Sequence, residues 1–230
     1  MSATLTPPRR ERERALLEAV PLADASASRV VAAVARTAWA QAVVRATASA
    51  SNLSFAQTRA AILGTGPLAS ELATRLAAMG ARVVVVGDDP VALVEFAQRG
   101  LAVASTEAPP LDDAVLAFAT GELAAPVVPA ALGAGGPLLL VDAAQSEPAV
   151  VALTDPASGR PGIARLLDAG REAFLLVARE IADESARRTR DALAARFAGA
   201  LQSATAEDPT ASLDELHRRA DRALAEELLR

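Results

Sequence analysis

The sequence predicts an α/β chain built on a doubly wound parallel sheet, with helical extensions at both ends. Three observations predict it. The apolar run Ala60-Ala-Ile-Leu-Gly64 breaks into a glycine turn, Gly64-Thr65-Gly66-Pro67, followed by helix-like periodicity. A second apolar run, Ala81-Arg-Val-Val-Val-Val-Gly87, comes one helix later and ends at Asp88 and Asp89. From Arg59 onward, strand-length apolar runs alternate with helical segments, which is the pattern of a parallel sheet covered on both faces. Strand, glycine turn, helix, strand and acid in that order are the opening of a Rossmann-like, dinucleotide-binding arrangement.

Each element has its own justification. Residues 1–13 are dominated by Pro, Arg and Glu and are expected to be disordered, with a short helix over Ala15–Val20. Ser28 or Ser26 is placed to cap a helix from about Arg29 to Ala50. Its apolar residues, including Val31, Val34, Trp39 and Val43, point nearly all round, as in a helix packed against several neighbours or in a subunit interface. Strands are expected at 59–63, 82–86, 101–104, 114–118 and 138–142, and helices at 67–79, 90–99 and 126–133. Pro67 suits the first turn of a helix, where its missing N–H costs nothing. Gly80 and Gly100 are placed to end the first two helices. Ala149–Thr154 and Phe174–Val177 are later strand candidates, joined across the turn chemistry of Asp155-Pro-Ala-Ser-Gly159. A helix follows over 179–202, then a polar linker over 203–211. The last helix opens on the capping box Ser212-Leu-Asp-Glu215 and carries the stripe Leu213, Leu216, Ala220, Leu224 and Leu228. The implied organisation is a tail with amino-terminal helices (1–58), a Rossmann-like domain (59–180) and carboxyl-terminal helices (181–230).

Composition narrows the function classes. The 230-residue chain is 52% apolar but only 3% aromatic, so its core is built from small aliphatic side chains. A net charge of −5 gives no reason to expect nucleic acid or an anionic membrane as partner. With no Cys there is no thiol nucleophile and no thiolate-ligated metal. The sequence also holds no Lys and no Tyr, and its basic residues are all Arg. Neither an amino-terminal signal peptide nor a membrane span is visible, and a cytoplasmic protein is the expectation.

The candidate ligand site follows from the glycine turn. Gly64 allows the tight exit from the strand, Gly66 lets the backbone approach a pyrophosphate, and Ala69 lets the helix pack close to the sheet. Thr65, Pro67 and Leu68 frame the helix terminus, where unpaired N–H groups would face the anion. Asp88 is placed to hold a ribose, and Asp89 either assists or caps the helix that begins at Pro90. Thr120, Gly121 and Asp142 end two further strands on the edge where ligands bind in such sheets. The expected cofactor is NAD or NADP, with a chain that has lost its nucleotide as the other reading. No catalytic set emerges. His217 is the lone histidine, on the flank of the last helix, and neither a nucleophile triad nor a metal-ligand spacing accompanies it.

At this point the chain resembles the NAD-binding domain of the adenosylhomocysteinase family. The resemblance rests on Arg45-Ala-Thr47, Gly64-Thr-Gly66, Gly80-Ala-Arg-Val83, Asp89-Pro-Val-Ala-Leu93 and Phe118-Ala-Thr-Gly121, with a weaker echo in Ser158-Gly-Arg and Gly170-Arg-Glu-Ala-Phe. It covers roughly residues 45–180. It implies a Rossmann fold, an NAD site on the glycine turn and an oligomeric assembly.

The departures bear on activity. The family's ribose-binding acid falls on Gly87, with Asp88 one residue late. Its nicotinamide-side Asn and Ile-Gly-His turn fall on Asp142-Ala-Ala-Gln145. Glu71 stands in the first turn of the phosphate-binding helix, where the family has a glycine, and would repel a pyrophosphate if it pointed inward. The family's substrate domain, with its Lys, Asp, His and Cys, has no counterpart. The sequence therefore points to a non-catalytic, nucleotide-binding or scaffolding subunit without hydrolase activity. The alternative is a small NAD(P)-dependent oxidoreductase that completes its substrate site with a partner chain. Self-association, as a dimer or larger, is expected through the helical extensions.

Overall fold

The computed structural model describes residues 25–155 and 162–230. The expectations for residues 1–13, for Ala15–Val20, for the Ser26 side chain and for the turn around Ser158 and Gly159 lie outside the described residues. The chain divides into two compact units, one spanning Arg36–Ala186 and the other made of the segment up to Ala35 with Arg187–Arg230.

The first unit is an α/β sheet of the Rossmann-like kind. Its strands are β1 (Arg59–Gly64), β2 (Arg82–Gly87), β3 (Ala102–Ser105), β4 (Leu116–Glu122), β5 (Leu138–Asp142), β6 (Thr154–Asp155), β7 (Ile163–Leu166) and β8 (Ala173–Val177). Helix α1 (Arg29–Ser51) precedes β1; α2 (Pro67–Ala78) joins β1 to β2, and α3 (Pro90–Gln98) joins β2 to β3. The sheet order is β3-β2-β1-β4-β5-β8-β7-β6. From β3 to β8 neighbouring strands are parallel, and the β7 and β6 edge is antiparallel. Strands buried on both faces read as continuous apolar runs. All five residues of β5 are buried, and so are all of β1 after Arg59. By contrast β3, at the sheet edge, is largely exposed.

Helix α2 buries Leu68, Ala69, Leu72, Ala73 and Leu76, one face at helical spacing. Gly80 ends it at φ +82°, a conformation glycine adopts without a Cβ penalty. The amide of Gly80 donates to Ala77 O and that of Ala81 to Leu76 O, which closes the last turn. Gly100 does the same for α3, its amide donating to Ala97 O while that of Leu101 donates to Phe96 O. Trp39 of α1 is buried and donates its indole N–H to Ala143 O at 2.8 Å.

Several expectations are corrected. No α-helix forms over 126–133. Val127 instead bridges Val150 in parallel, and a short 3-10 turn spans Pro129–Leu132. Pro129 disfavours helical geometry at Val128, which is extended at φ −110° and ψ 147°, and so breaks the expected helix. The strand expected over 149–154 reduces to that bridge and the two residues of β6, while β7 is an addition to the expected set. The fourth strand begins two residues later than expected and runs on to Glu122.

Arg171 has a structural role that nothing in its local sequence marks. It is only 8% exposed. Its Nε donates to Gly136 O at 2.7 Å, Nη1 to Leu111 O at 2.6 Å and Nη2 to Ala114 O at 3.2 Å. One guanidinium thereby ties together the segments that enter β4, β5 and β8.

In the second unit, α4 (Arg179–Glu207, from Arg187 onward) and α5 (Leu213–Leu228) pack with the start of α1. Val31, Leu193, Phe197, Leu201, Ala204, Leu216, Ala220 and Leu224 form the cluster. Ser28 caps α1 by accepting from Val31 N at 3.1 Å, and Asp221 of α5 accepts from Arg29 N at 3.0 Å. Helix α4 runs five residues into the expected linker. Ser203 and Thr205 donate their hydroxyls to Gly199 O and Leu201 O one turn back, and Ala204 is buried, so this polar stretch stays helical. Ser212 caps α5 by accepting from Glu215 N, as the capping box predicts. The middle of the α5 stripe is covered within the chain, whereas Leu213 is 63% exposed. Among the described residues no helix is long and apolar enough to cross a membrane.

The covered stripe generates a prediction. Leu224→Ala should destabilise the helical unit by about 2–5 kcal/mol, as a large-to-small change at a fully buried position. Leu213→Ala should stay within about 0.5 kcal/mol. Equilibrium denaturation of both variants checks the contrast, and equal losses would contradict the burial pattern.

Candidate functional site

The sheet order reverses between β1 and β4, since β1 leads to β2 and β3 on one side and to β4 and β5 on the other. Ligands in open α/β sheets bind at such a switch point, beyond the carboxyl ends of the strands. The glycine turn Gly64–Pro67 leaves β1 at this place, and α2 begins at Pro67 with Gly66 as its cap residue. Gly66 has no side chain to cap with, and Pro67 has no N–H. The free donors within the first helical turn are therefore the amides of Leu68 and Ala69.

Those donors are taken by the chain itself. Glu122 Oε1 accepts from Leu68 N at 2.8 Å, and Glu122 Oε2 accepts from Ala69 N at 2.9 Å. The carboxylate sits where the glycine turn would otherwise present its amides to a pyrophosphate. It also lies at the positive end of the α2 dipole.

Local structure aims it there. Along β1 and β4 the pairing advances from Leu63↔Ala119 to Gly64↔Glu122, so Thr120 and Gly121 bulge out of register. Thr120 Oγ1 donates to Leu63 O at 3.1 Å and pins the bulge, while Gly121 turns the chain at φ +75°. A Cβ on Gly64 would overlap Thr120 Oγ1, and one on Gly66 would overlap Glu122 Oε1. The close approach that glycine permits is used here by the protein's own side chains. Thr65 packs its methyl group against Gly87 in the same way.

The remaining candidates are also engaged. Asp88 is exposed and accepts from Ala124 N at 2.7 Å through Oδ2, linking the end of β2 to the segment after β4. Asp89 caps α3 by accepting from Val91 N at 2.9 Å. Asp142 is 2% exposed and accepts from Ala144 N and Ala149 N at 3.2 and 3.3 Å, holding the loop after β5. Gly64, Thr65, Gly66, Pro67, Leu68, Thr120 and Gly121 thus meet around one crevice, with Asp88 at its rim. Asp89 and Asp142 serve neighbouring turns.

Glu71 does not point into the crevice. It pairs with Arg75 at 2.7 Å and accepts from Thr37 Oγ1 at 3.2 Å. The carboxylate that reaches the phosphate position is Glu122, which sequence reasoning passed over. The available signal was an acid directly after Thr120-Gly121 at a strand's carboxyl end. His217 lies 5.8 Å from the Phe197 ring, centroid to centroid, in the helical unit. Among the described residues no group of three His, Cys, Asp or Glu is placed to hold a metal ion.

Beside the crevice is a cavity of about 350 Å³. Leu63, Val86, Leu123, Val128 and Leu132 contribute apolar walls, Thr106 a hydroxyl and Asp88 a carboxylate. A separate hollow of about 420 Å³ lies toward the amino-terminal ends of β4, β5 and β8, and among the described residues no charged group lines it.

No protein-family model matches the sequence, and no curated protein matches it. Among solved structures, the chain is similar to dipicolinate synthase from Bacillus subtilis, at 16% identity and a TM-score of 0.52, over 85% of this chain and 63% of that one. It is also similar to dipicolinate synthase from Bacillus halodurans, at 18% identity and a TM-score of 0.49, over 72% of this chain and 57% of that one. Transhydrogenase from Sinorhizobium meliloti follows at 14% identity and a TM-score of 0.48, over 76% and 57%. The chain spans less than two thirds of the length of each. The first of these likenesses, together with the sheet topology, gives a Rossmann-like α/β fold and does not single out the adenosylhomocysteinase family.

The fit of Glu122 against Gly66 is testable by coupling. Gly66 has φ −82°, open to any residue, and the three atoms nearest to a Cβ there all belong to Glu122, so contact with Glu122 is the steric cost of Gly66→Ala. A loss of about 1–3 kcal/mol is expected. In a Glu122→Ala background the same substitution should cost at least about 0.5 kcal/mol less. Equal costs in the two backgrounds would show that Glu122 is not the neighbour that matters.

Proposed function

We propose that this chain is a non-catalytic, adenosylhomocysteinase-like Rossmann-domain protein that serves in an accessory or scaffolding role and holds no dinucleotide while Glu122 is seated. The observation that carries this reading is the pair of hydrogen bonds from Leu68 N and Ala69 N to the Glu122 carboxylate. A pyrophosphate at the turn would need the same two donors and would meet a like charge. Inventory supports the absence of hydrolase chemistry, because the chain has no Lys and no Cys. General acid–base steps at neutral pH are poorly served by exposed Asp, Glu and Arg alone. Self-association is part of the proposal. With the middle of the α5 stripe already covered within the chain, it needs another surface. Sedimentation at micromolar concentration decides it, a monomer removing that element.

The glycine turn by itself favours the second reading, a small NAD(P)-dependent oxidoreductase completed by a partner chain. That reading requires Glu122 to leave the helix terminus.

Two measurements test the first reading. Calorimetric titration of the purified chain with NAD and with NADP should give no binding tighter than about 1 mM, the weak end of specific affinity. Incubation with S-adenosylhomocysteine should release no homocysteine above a buffer control. A micromolar Kd for either dinucleotide, or homocysteine release, overturns the reading.

A further inference from the structure

We propose that the free edge of β3, with the adjoining flank of α3, is the surface through which two copies of this chain associate, their β3 strands pairing antiparallel about a two-fold axis at Val103. The inference rests on the self-association put forward above and names the surface for it.

The edge carries unpaired backbone groups. β3 is the end strand of the sheet, and among the described residues it pairs only with β2. Thr106, just after the strand, donates its amide to Gly87 O at 3.1 Å. Successive residues of a strand turn their backbone groups alternately to its two sides. Ala102 and Ala104 therefore turn theirs toward β2, in step with Thr106, while Val103 and Ser105 turn theirs outward. An open strand edge is a template for another strand, and proteins that keep one single protect it with charges, proline or a bulge. No charged residue and no proline occurs from Gly100 to Thr106, and β3 follows β2 in unbroken register.

The neighbouring helix is apolar on the same side. α3 packs on both β2 and β3. Arg99 lies over the Phe96 ring and donates to Ser70 Oγ and Thr74 Oγ1 of α2, each at 2.7 Å. That contact identifies the flank of α3 that faces α2. At about 3.6 residues per turn, Glu95 shares it. Pro90, Val94 and Ala97 fall on the other flank, on the β3 side, and all are exposed, Val94 by 57%. Ala102 and Val103 of the strand are exposed as well. The charges of α3 are thus turned toward α2, and its outer flank is left to hydrocarbon.

Such a surface suits a second copy. Near a two-fold axis each residue meets itself or a close neighbour, so any charge there would meet its like. With Val103 on the axis, Val103 exchanges backbone hydrogen bonds with its copy. On either side Ser105 N–H reaches the Leu101 carbonyl, which points outward because the Ala102 amide points to β2. Strands stand about 4.8 Å apart, so a helix over β2 and β3 and its two-fold copy lie about 10 Å apart, near the roughly 8–10 Å of packed helices. The short strand alone buries less than the roughly 1,200–2,000 Å² of a stable dimer, and the paired α3 flanks enlarge it.

Sedimentation velocity of the full chain and four variants tests this. The wild-type chain should be dimeric at about 50 µM, an affinity in the micromolar range. Val103→Pro removes an outward N–H and leaves the β2 ladder whole, as proline does on an edge strand. Ala97→Glu sets like charges across the axis. Each should raise the dimer Kd at least about tenfold, whereas Glu95→Ala, on the flank facing α2, should change it less than about twofold. Because the sequence has no Cys, Val103→Cys supplies one thiol per chain. Hydrogen-bonded antiparallel partners have Cα atoms about 5.5 Å apart, within disulfide reach, so this variant should form a covalent dimer with oxidised glutathione. Ala97→Glu and Val103→Cys decide the matter if Val103→Pro fails to fold.

The failures are distinguishable. A wild-type dimer that survives both Val103→Pro and Ala97→Glu, with no cross-link through Val103→Cys, overturns this inference alone and leaves self-association to another surface. A wild-type monomer overturns this inference and the self-association together, and leaves a strand of a different protein as the occupant of the edge.

Discussion

The interaction on which the crevice depends is a carboxylate seated on a helix terminus. A helix whose first residue is Pro67 has in its first turn two amides, those of Leu68 and Ala69, with no intrahelical partner, and a dipole whose positive end faces the sheet edge. Something must satisfy those donors. In a dinucleotide-binding protein the ligand does so when it binds. Here Glu122 does so from within, through two charge-assisted hydrogen bonds. The turn is thereby stable without a ligand, and the same feature that makes a helix start attractive to phosphate fastens β4 to α2.

The rest of the sheet edge follows a related rule. Where the strands end, their loops are held by polar side chains that reach backbone groups. Thr120 holds the β1 carbonyl, Asp142 the amides after β5, and Asp88 an amide after β4. At the opposite edge Arg171 gathers three carbonyls. Buried polar groups need such partners, because an unmade hydrogen bond costs the desolvation of the group. These contacts fix the loops, and with them the shape of the cavity beside the glycine turn.

A Rossmann-like sheet does not by itself carry an activity; chemistry belongs to the groups at its carboxyl edge. In this chain that edge keeps the turn, the close-packed helix and the acids, and the sequence holds no Lys and no Cys. The architecture has been retained with its anion position filled. That combination accounts for a sequence that reads as a nucleotide site and a geometry in which the site's donors are spent.

Much of this was legible before the fold was known. The continuous apolar runs of β1, β2 and β5 gave buried parallel strands, and Gly80 and Gly100 marked the ends of α2 and α3. Ser28 and Ser212 marked the starts of α1 and α5. These signals are local, since capping, turn geometry and burial periodicity act over a few residues of chain. The polar stretch after residue 203 misled because its hydroxyls are satisfied inside the helix. Pro129 outweighed the small apolar residues around it by holding Val128 extended. What only the tertiary structure decided was the occupant of the glycine turn. Glu122 lies more than fifty residues from Leu68, and a bulge of Thr120 and Gly121 against β1 aims it there. Sequence suggested Glu71 as the intruding acid because it lies on the same helix. In the fold Glu71 is drawn off by Arg75 one turn away, and a register shift between two strands brings in the other carboxylate.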